Sequence, residues 1–175
     1  MVRGDADLTP SGREYDWLGK GIYFWEADST RAKEWAEWRV GRGDYRNPAV
    51  IGAIIDLRNC LDLTNRDDLE LLRLAHEEYL REQSLAGLPI AENKATKADP
   101  NDDRLLRFLD CAVINHLHYM IGSWTTEAIL EPFDTVRGMF TEGGALYEGA
   151  GFKQKTHTQI SVINPDCIKG FFIPR

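Results

Sequence analysis

The chain has 175 residues, a length that suits one domain with one core, and we expect residues 1–175 to form a single domain. A composition that is 43% hydrophobic and 28% charged is ordinary for a globular protein. The formal net charge of −7 argues against a dedicated DNA-binding protein, because bulk electrostatics would oppose approach to a polyanion.

The sequence also argues against membrane insertion and secretion. No apolar run approaches the length of a membrane span, and the first residues lack the apolar stretch of a secretory signal. The three cysteines, Cys60, Cys111 and Cys167, are scattered and odd in number. They fit neither a disulfide framework nor a zinc site, so we expect buried, reduced thiols in a cytoplasmic protein with no metal and no membrane partner.

The first half of the chain predicts two strands and two helices. Residues 20–25 are rich in Ile, Tyr, Phe and Trp, which is typical of a short strand. Residues 28–29, Asp-Ser, supply a cap for a helix over 29–41. Residues 48–57 carry apolar side chains on both alternate sets, which predicts a strand covered on both faces. Residues 67–83 predict an amphipathic helix with an acidic first turn.

The middle of the chain predicts a polar loop followed by a buried helix. Residues 91–103 are polar and rich in turn formers, and we expect the greatest mobility there. Residues 103–121 predict a largely buried helix. Its expected core stripe consists of Leu105, Leu106, Leu109, Ala112, Val113 and Leu117.

The last third predicts strands separated by a glycine-rich loop. Residues 136–140 predict a strand, and the sequence EGGALYEGAGF after it predicts a loop. Residues 156–163 and 167–173 predict two strands joined by Asn164-Pro165. Because strands and helices do not alternate strictly along the chain, the fold class that we predict is α+β.

Two segments resemble one enzyme family. The run Gly19-Lys20-Gly21-Ile22-Tyr23-Phe24 resembles the GKGIYF segment of the poly-ADP-ribose polymerase branch of the ADP-ribosyltransferases. Ser29 and Ala32 follow where the family has its Ser-x-x-Ala helix start. Residues 158–162, TQISV, resemble the family strand that begins with the catalytic glutamate, and residues 141–155 lie where the family has its target-recognition loop. The chain is also similar to small bacterial proteins that carry YDWLGxGIYFWE and KTHxQI.

The resemblance implies a split β-sheet with flanking helices that binds NAD in a cleft. Tyr23 would stack on the nicotinamide ring, and Gly19 and Gly21 would let the backbone approach the dinucleotide. Lys20 would help to shape the cleft wall. Ser29 would cap its helix and could reach a ribose. The protein would act by positioning and electrostatics.

The sequence departs from the family at Gln159, where the family has glutamate. Gln159 would still hydrogen-bond the ribose hydroxyls but would not stabilise a positive charge, so we do not expect poly-ADP-ribose elongation. Single transfer remains open if Glu142 or Glu148 from the preceding loop supplies the acid. His157 shares a strand face with Gln159. It is either an acid, base or ribose contact, or a hydrogen-bonded strand histidine.

A second departure concerns the N-terminal region. The family's first strand carries a His-Gly-Thr-like segment, and nothing in residues 1–18 matches it. Either the first strand is missing from this protein, or an N-terminal segment has been omitted from the sequence.

Two functions from different classes are consistent with these features. The first is an NAD-dependent mono-ADP-ribosyltransferase that modifies a protein side chain or a nucleic-acid base, acting as a toxin or phage-defence effector. Its partners would be a macromolecular acceptor, a neutralising antitoxin or a protein that completes the sheet. The second is an inactive, ADP-ribosyltransferase-fold binding module. An RNA phosphate-transfer enzyme of the same broad fold would need a basic cluster, which the sequence does not show.

Several other residues are open to a functional and a structural interpretation. Arg137 could contact a phosphate or form a surface ion pair. His116 and His118 are two residues apart in a helix, so they do not share a face and are poor as a metal pair. Aromatic residues in and beside the glycine-rich loop could stack a base: Phe140, Tyr147 and Phe152. The tryptophans Trp25, Trp35 and Trp38 are expected to pack in the core or at its rim.

Overall fold

A computed structural model describes residues 8–44, 46–97, 101–123 and 130–174. Within these ranges the protein is mixed α+β, with three α-helices and two β-sheets. In chain order the elements are β1 (Ile22–Trp25), α1 (Ser29–Gly41), β2 (Gly52–Ile55), β3 (Cys60–Asp62), α2 (Arg66–Ala86), α3 (Phe108–Ser123), β4 (Thr135–Phe140), β5 (His157–Val162) and β6 (Ile168–Phe172). In the described part of the chain, no helix combines the length and apolarity needed to cross a bilayer. The fold class predicted from the sequence, α+β, is confirmed.

The larger sheet has four strands in the order β1-β5-β4-β3. β5 lies between β1 and β4 and is antiparallel to both, whereas β3 is parallel to β4. The smaller sheet consists of β2 and β6, which are antiparallel. β5 therefore lies between β1, which follows the GKG turn, and β4, which precedes the glycine-rich loop.

The four-stranded sheet has a hydrophobic cluster on each face. On one face, residues of α2 and α3 pack on the sheet around a fully buried group: Leu18, Leu61, Ile114, Leu117 and Val136. On the other face, Ile22, Ile160 and Val162 pack against Ile55 and Ile168 of the smaller sheet. Because side chains alternate along a strand, β1 supplies Ile22 to one cluster and Tyr23 to the other.

Two predicted elements need correction. The prediction that residues 48–57 form a strand covered on both faces is wrong, because only Gly52–Ile55 is a strand and Ile54 is 60% exposed. β2 pairs with β6 alone, so the small sheet leaves one face in solvent. The predicted helix over 103–121 begins later, at Phe108. The Asn93 side chain accepts from the backbone N–H groups at the start of that helix, and Leu106 forms an antiparallel bridge upstream of it.

The remaining predicted elements lie close to their observed positions. The Asp28 carboxylate accepts a hydrogen bond from the Arg31 backbone N–H and caps α1. The strands predicted over 156–163 and 167–173 are β5 and β6, but a 3-10 turn over Pro165–Cys167 sends them into different sheets. Of the predicted loop over 91–103, residues 98–100 lie outside the described residues, as do residues 1–7 of the N-terminal segment.

Candidate functional site

The glycine turn before β1 packs tightly against the chain itself. Gly19 has φ +76°, and a Cβ there would lie 2.8 Å from Asn115 Oδ1. A Cβ on Gly21 would lie 2.2 Å from Ser161 Oγ. The Lys20 backbone N–H donates to the same Asn115 oxygen at 3.0 Å, while the Lys20 side chain is exposed. Both glycines are therefore required by contacts with α3 and β5, whether or not a ligand also approaches this turn.

The Tyr23 hydroxyl closes the same turn. It donates to the Gly19 carbonyl at 2.8 Å and accepts from the Leu18 backbone N–H at 2.9 Å. Burial, reinforced by the carboxylate of Asp16, raises the pKa of Tyr23 above its ordinary value. The hydroxyl is therefore neutral and fully engaged. The ring is half-buried and packs against the hydrophobic cluster on the α2 and α3 side of the sheet, so only its exposed part is left to contact a ligand.

Tyr23 and Gln159 face the same side of the sheet from neighbouring strands. In the β1–β5 register Tyr23 lies opposite Ser161, and Trp25 lies opposite Gln159, two residues away on each strand. The indole N–H of Trp17 donates to Gln159 Oε1 at 2.6 Å. The side-chain oxygen that could hold a ribose hydroxyl is thus already bonded to a residue of the chain.

His157 shares this face with Gln159, as the strand alternation predicts. It is buried, lies opposite Phe140 on β4, and stacks on that ring with centroids 5.7 Å apart. Its Nδ1 lies 2.7 Å from the Lys155 carbonyl oxygen, so in the neutral ring Nδ1 carries the hydrogen and Nε2 is an acceptor. Burial lowers the pKa of His157, which keeps the imidazole neutral near pH 7.

One of the two predicted acids lies near His157. Glu142 forms an ion pair with Arg31 at 2.9 Å, and the two side chains are only 14% and 15% exposed. Arg31 lowers and Glu142 raises the pKa of His157, so both charges act on the imidazole. Glu148 is exposed on the loop. The structure therefore favours Glu142 over Glu148 as the carboxylate of this site.

The loop over 141–155 is fixed at its base and exposed at its tip. The buried carboxylate of Asp103 accepts from the Gly143 backbone N–H at 2.8 Å and forms an ion pair with Lys153. The Lys153 ammonium and this N–H hold the pKa of Asp103 below its usual range, although burial alone would raise it. The aromatic rings of Tyr147 and Phe152 are exposed.

Two predicted site residues are used elsewhere in the structure. Ser29, the first residue of α1, lines a groove of about 370 Å³ together with Pro48, Val50 and Pro174. No contact described in the structure brings it to Tyr23. The Arg137 guanidinium forms ion pairs with Glu26 at 2.8 Å and Asp62 at 3.0 Å, which supports its structural interpretation.

Sequence reasoning missed Trp17, Arg31 and Asp103. Trp17 stands two residues before Gly19 in YDWLG, and an aromatic so close to the turn was the only available signal. The partners of Arg31 and Asp103 lie 111 and 40 residues away in the chain. Nothing in the local sequence could indicate contacts of that range.

A layer of aromatic rings lies beside Gln159. Trp17 packs edge-on against Phe140 with centroids 5.0 Å apart, and Phe140 stacks on His157. Among the described residues, no cluster of His, Cys, Asp and Glu could hold a metal ion.

Comparison with protein-family models, curated proteins and solved structures finds no match to the chain. The strongest geometric feature is the pairing of the GKG strand with the strand that carries Gln159.

Proposed function

We propose that the protein is an NAD-dependent mono-ADP-ribosyltransferase with an ADP-ribosyltransferase-like split sheet. The observation that carries the proposal is the position of Tyr23 and Gln159 on one face of paired strands. His157 lies two residues from Gln159 on the same face, and Glu142 lies near it. In this reaction the C1′–N glycosidic bond of NAD breaks, nicotinamide leaves with the electron pair, and a nucleophile of the acceptor bonds to C1′ and loses its proton.

Each side chain has a distinct role in the proposal. The Tyr23 ring stacks on nicotinamide, while its hydroxyl holds the turn closed. Gln159 binds the ribose hydroxyls without adding charge. The Glu142 carboxylate, which is paired with Arg31, supplies the negative charge that Gln159 lacks. His157 Nε2 is a neutral acceptor at the same end of the strand and can take the proton of the attacking group.

The loop over 141–155 is the proposed contact with a macromolecular acceptor. Tyr147 and Phe152 present exposed rings that can pack against a protein or stack on a nucleic-acid base. The Asp103 contacts fix the loop base, so the exposed tip has a defined position. A neutralising antitoxin could bind the same surface, and a partner could add a strand beside β1 or β3, the edge strands of the larger sheet. By analogy with the bacterial proteins that the sequence resembles, the proposed setting is a toxin or phage-defence effector in the cytoplasm.

A second function is favoured by a different observation. Trp17 occupies the space beside Gln159, and both hydrogen-bonding capacities of the Tyr23 hydroxyl are used within the turn. A protein that keeps these contacts permanently would be a binding module that has the fold but not the chemistry. NAD binding distinguishes the two functions, because the module would not bind the dinucleotide.

Transfer of label from adenine-labelled NAD to macromolecules tests the proposal. Cell extract is incubated with the full chain, Gln159→Ala and the matched control Gln83→Ala, which changes a glutamine on α2. We expect label in the macromolecular fraction with the wild type and with Gln83→Ala, and at most background with Gln159→Ala. Protease and nuclease digestion then identify the acceptor class. Equal labelling by all three proteins would contradict the assignment of Gln159, and no labelling would favour the binding module.

A further inference from the structure

Trp17 packs against the hydrophobic cluster on the α2 and α3 side of the sheet and makes three further contacts over the candidate site. Its indole N–H donates to Gln159 Oε1 at 2.6 Å, and its ring packs edge-on against Phe140. The ring also fills the space above Gly138, where a Cβ would lie 2.9 Å from the indole. Gly138 lies opposite Gln159 in the β4–β5 register, so the indole covers the middle of the sheet face on which Gln159 lies.

The backbone on either side of Trp17 is fixed. Leu18 is completely buried, and its N–H is bonded to the Tyr23 hydroxyl. On the other side, the Asp16 carboxylate accepts from the Ser11 hydroxyl and from the Arg13 backbone N–H. The Trp17 side chain, by contrast, is only half-buried. A movement that uncovers Gln159 therefore needs rotation of this side chain about its own torsions and not displacement of the chain.

We propose that the Trp17 indole is a gate of the NAD site, which it closes in the free protein and leaves when NAD enters. The proposal rests on the proposed function. The indole N–H occupies the oxygen that a ribose hydroxyl would need, and the ring covers the face on which the ligand would lie. The gate and the ligand thus compete for the same atoms, and the closed population lowers the apparent affinity for NAD.

The contacts of the indole determine how much each substitution of Trp17 should tighten NAD binding. Trp17→Phe keeps an aromatic ring but removes the N–H that bonds Gln159. Loss of one hydrogen bond from the closed state should tighten NAD binding roughly fivefold. Trp17→Ala also removes the packing on Phe140, so it should tighten binding roughly thirtyfold. Trp38→Ala is the matched control, because Trp38 is an exposed tryptophan on α1 that contacts Arg42.

The first measurement is NAD titration by calorimetry for the wild type and the three variants. We expect the affinity order Trp17→Ala, then Trp17→Phe, then the wild type, with Trp38→Ala equal to the wild type. Equal affinities for all four proteins would overturn the gate and leave the proposed function standing. No binding by any of them, including Trp17→Ala, would overturn the proposed function and the gate with it.

The second measurement follows the indole directly and does not depend on how well Trp17→Ala folds. The full chain is labelled with 5-fluorotryptophan, and the ¹⁹F resonance of Trp17 is assigned by its absence from Trp17→Phe. We expect this resonance to move toward that of solvent-exposed Trp38 in Gln159→Leu, and also in the wild type at saturating NAD. A Trp17 resonance that does not move when NAD binds would overturn the gate.

Discussion

Replacing Tyr23 with phenylalanine separates the role of the Tyr23 hydroxyl from the role of its ring. The substitution keeps the aromatic face that would stack on nicotinamide. It removes the oxygen that accepts from the Leu18 N–H at 2.9 Å and donates to the Gly19 carbonyl at 2.8 Å. We therefore expect Tyr23→Phe to be less stable than the wild type and to keep its activity on NAD.

The loss of stability can be estimated from these two hydrogen bonds. Leu18 is fully buried, so its N–H would be left without an acceptor and away from water. An unsatisfied buried donor costs about 1–3 kcal/mol, and loss of the second hydrogen bond adds about 1 kcal/mol. We expect Tyr23→Phe to lower the free energy of unfolding by about 2–4 kcal/mol in total.

Urea unfolding of the full chain measures this difference. With a slope of about 2 kcal/mol per molar urea, the midpoint should fall by roughly 1–2 M. Tyr119→Phe is the matched control, because Tyr119 is 69% exposed on α3, and its midpoint should not change. Below the transition, Tyr23→Phe should release nicotinamide from NAD as the wild type does. A fall of less than about 0.5 kcal/mol would show that the hydroxyl does not hold the turn as described.

Three further predictions concern stability around the site. Burial lowers the pKa of His118 from 6.5 to about 4, so the unfolded chain binds this proton more readily, and stability should fall as the pH drops from 6.5 to 4. The His118 contribution to that fall is at most about 3 kcal/mol, and pH-dependent unfolding of His118→Phe should lack it. A double-mutant cycle with Arg31→Met and Glu142→Gln should give a coupling energy of about 1–3 kcal/mol, because the pair is largely buried. Gly21→Ala should destabilise by about 1–3 kcal/mol, and adding Ser161→Ala should restore only part, since a β5 carbonyl oxygen also lies 2.9 Å from the new Cβ.

Each of these predictions has an outcome that contradicts it. For His118, the contradiction is a pH dependence between 6.5 and 4 that is identical in the wild type and in His118→Phe. For the ion pair, strictly additive effects of the two single substitutions would show that Arg31 and Glu142 do not interact. For Gly21, a variant as stable as the wild type would mean that the turn does not approach β5 as closely as described.

Local patterns predicted the elements on which the site is built. A short aromatic-rich run predicted β1, and the capping carboxylate of Asp28 predicted the start of α1. Runs of strand-forming residues predicted β4 and β5. The alternation of side chains also placed His157 and Gln159 on one face. These features depend on residues near each other in sequence, which is why sequence alone was sufficient.

The features that sequence could not predict depend on distant contacts. β3 has only three residues and exists through parallel pairing with β4, about 75 residues later. Whether β2 is covered depends on how many strands its sheet has, which its own residues do not show. Trp17 meets Gln159 across 142 residues of sequence. The resemblance assigned Gly19 and Gly21 to the approach of a dinucleotide, but the neighbours in the chain that require glycine at both positions belong to α3 and β5.

Release of nicotinamide from NAD tests the central claim most directly. The full chain is compared with Gln159→Ala and Tyr23→Ala, and with the matched variants Gln83→Ala and Tyr119→Ala on α2 and α3. The account predicts release by the wild type and both matched variants, and at least a hundredfold less, on the order of 3 kcal/mol, from either site variant. Release at the same rate from all five proteins, or from none of them, would contradict it.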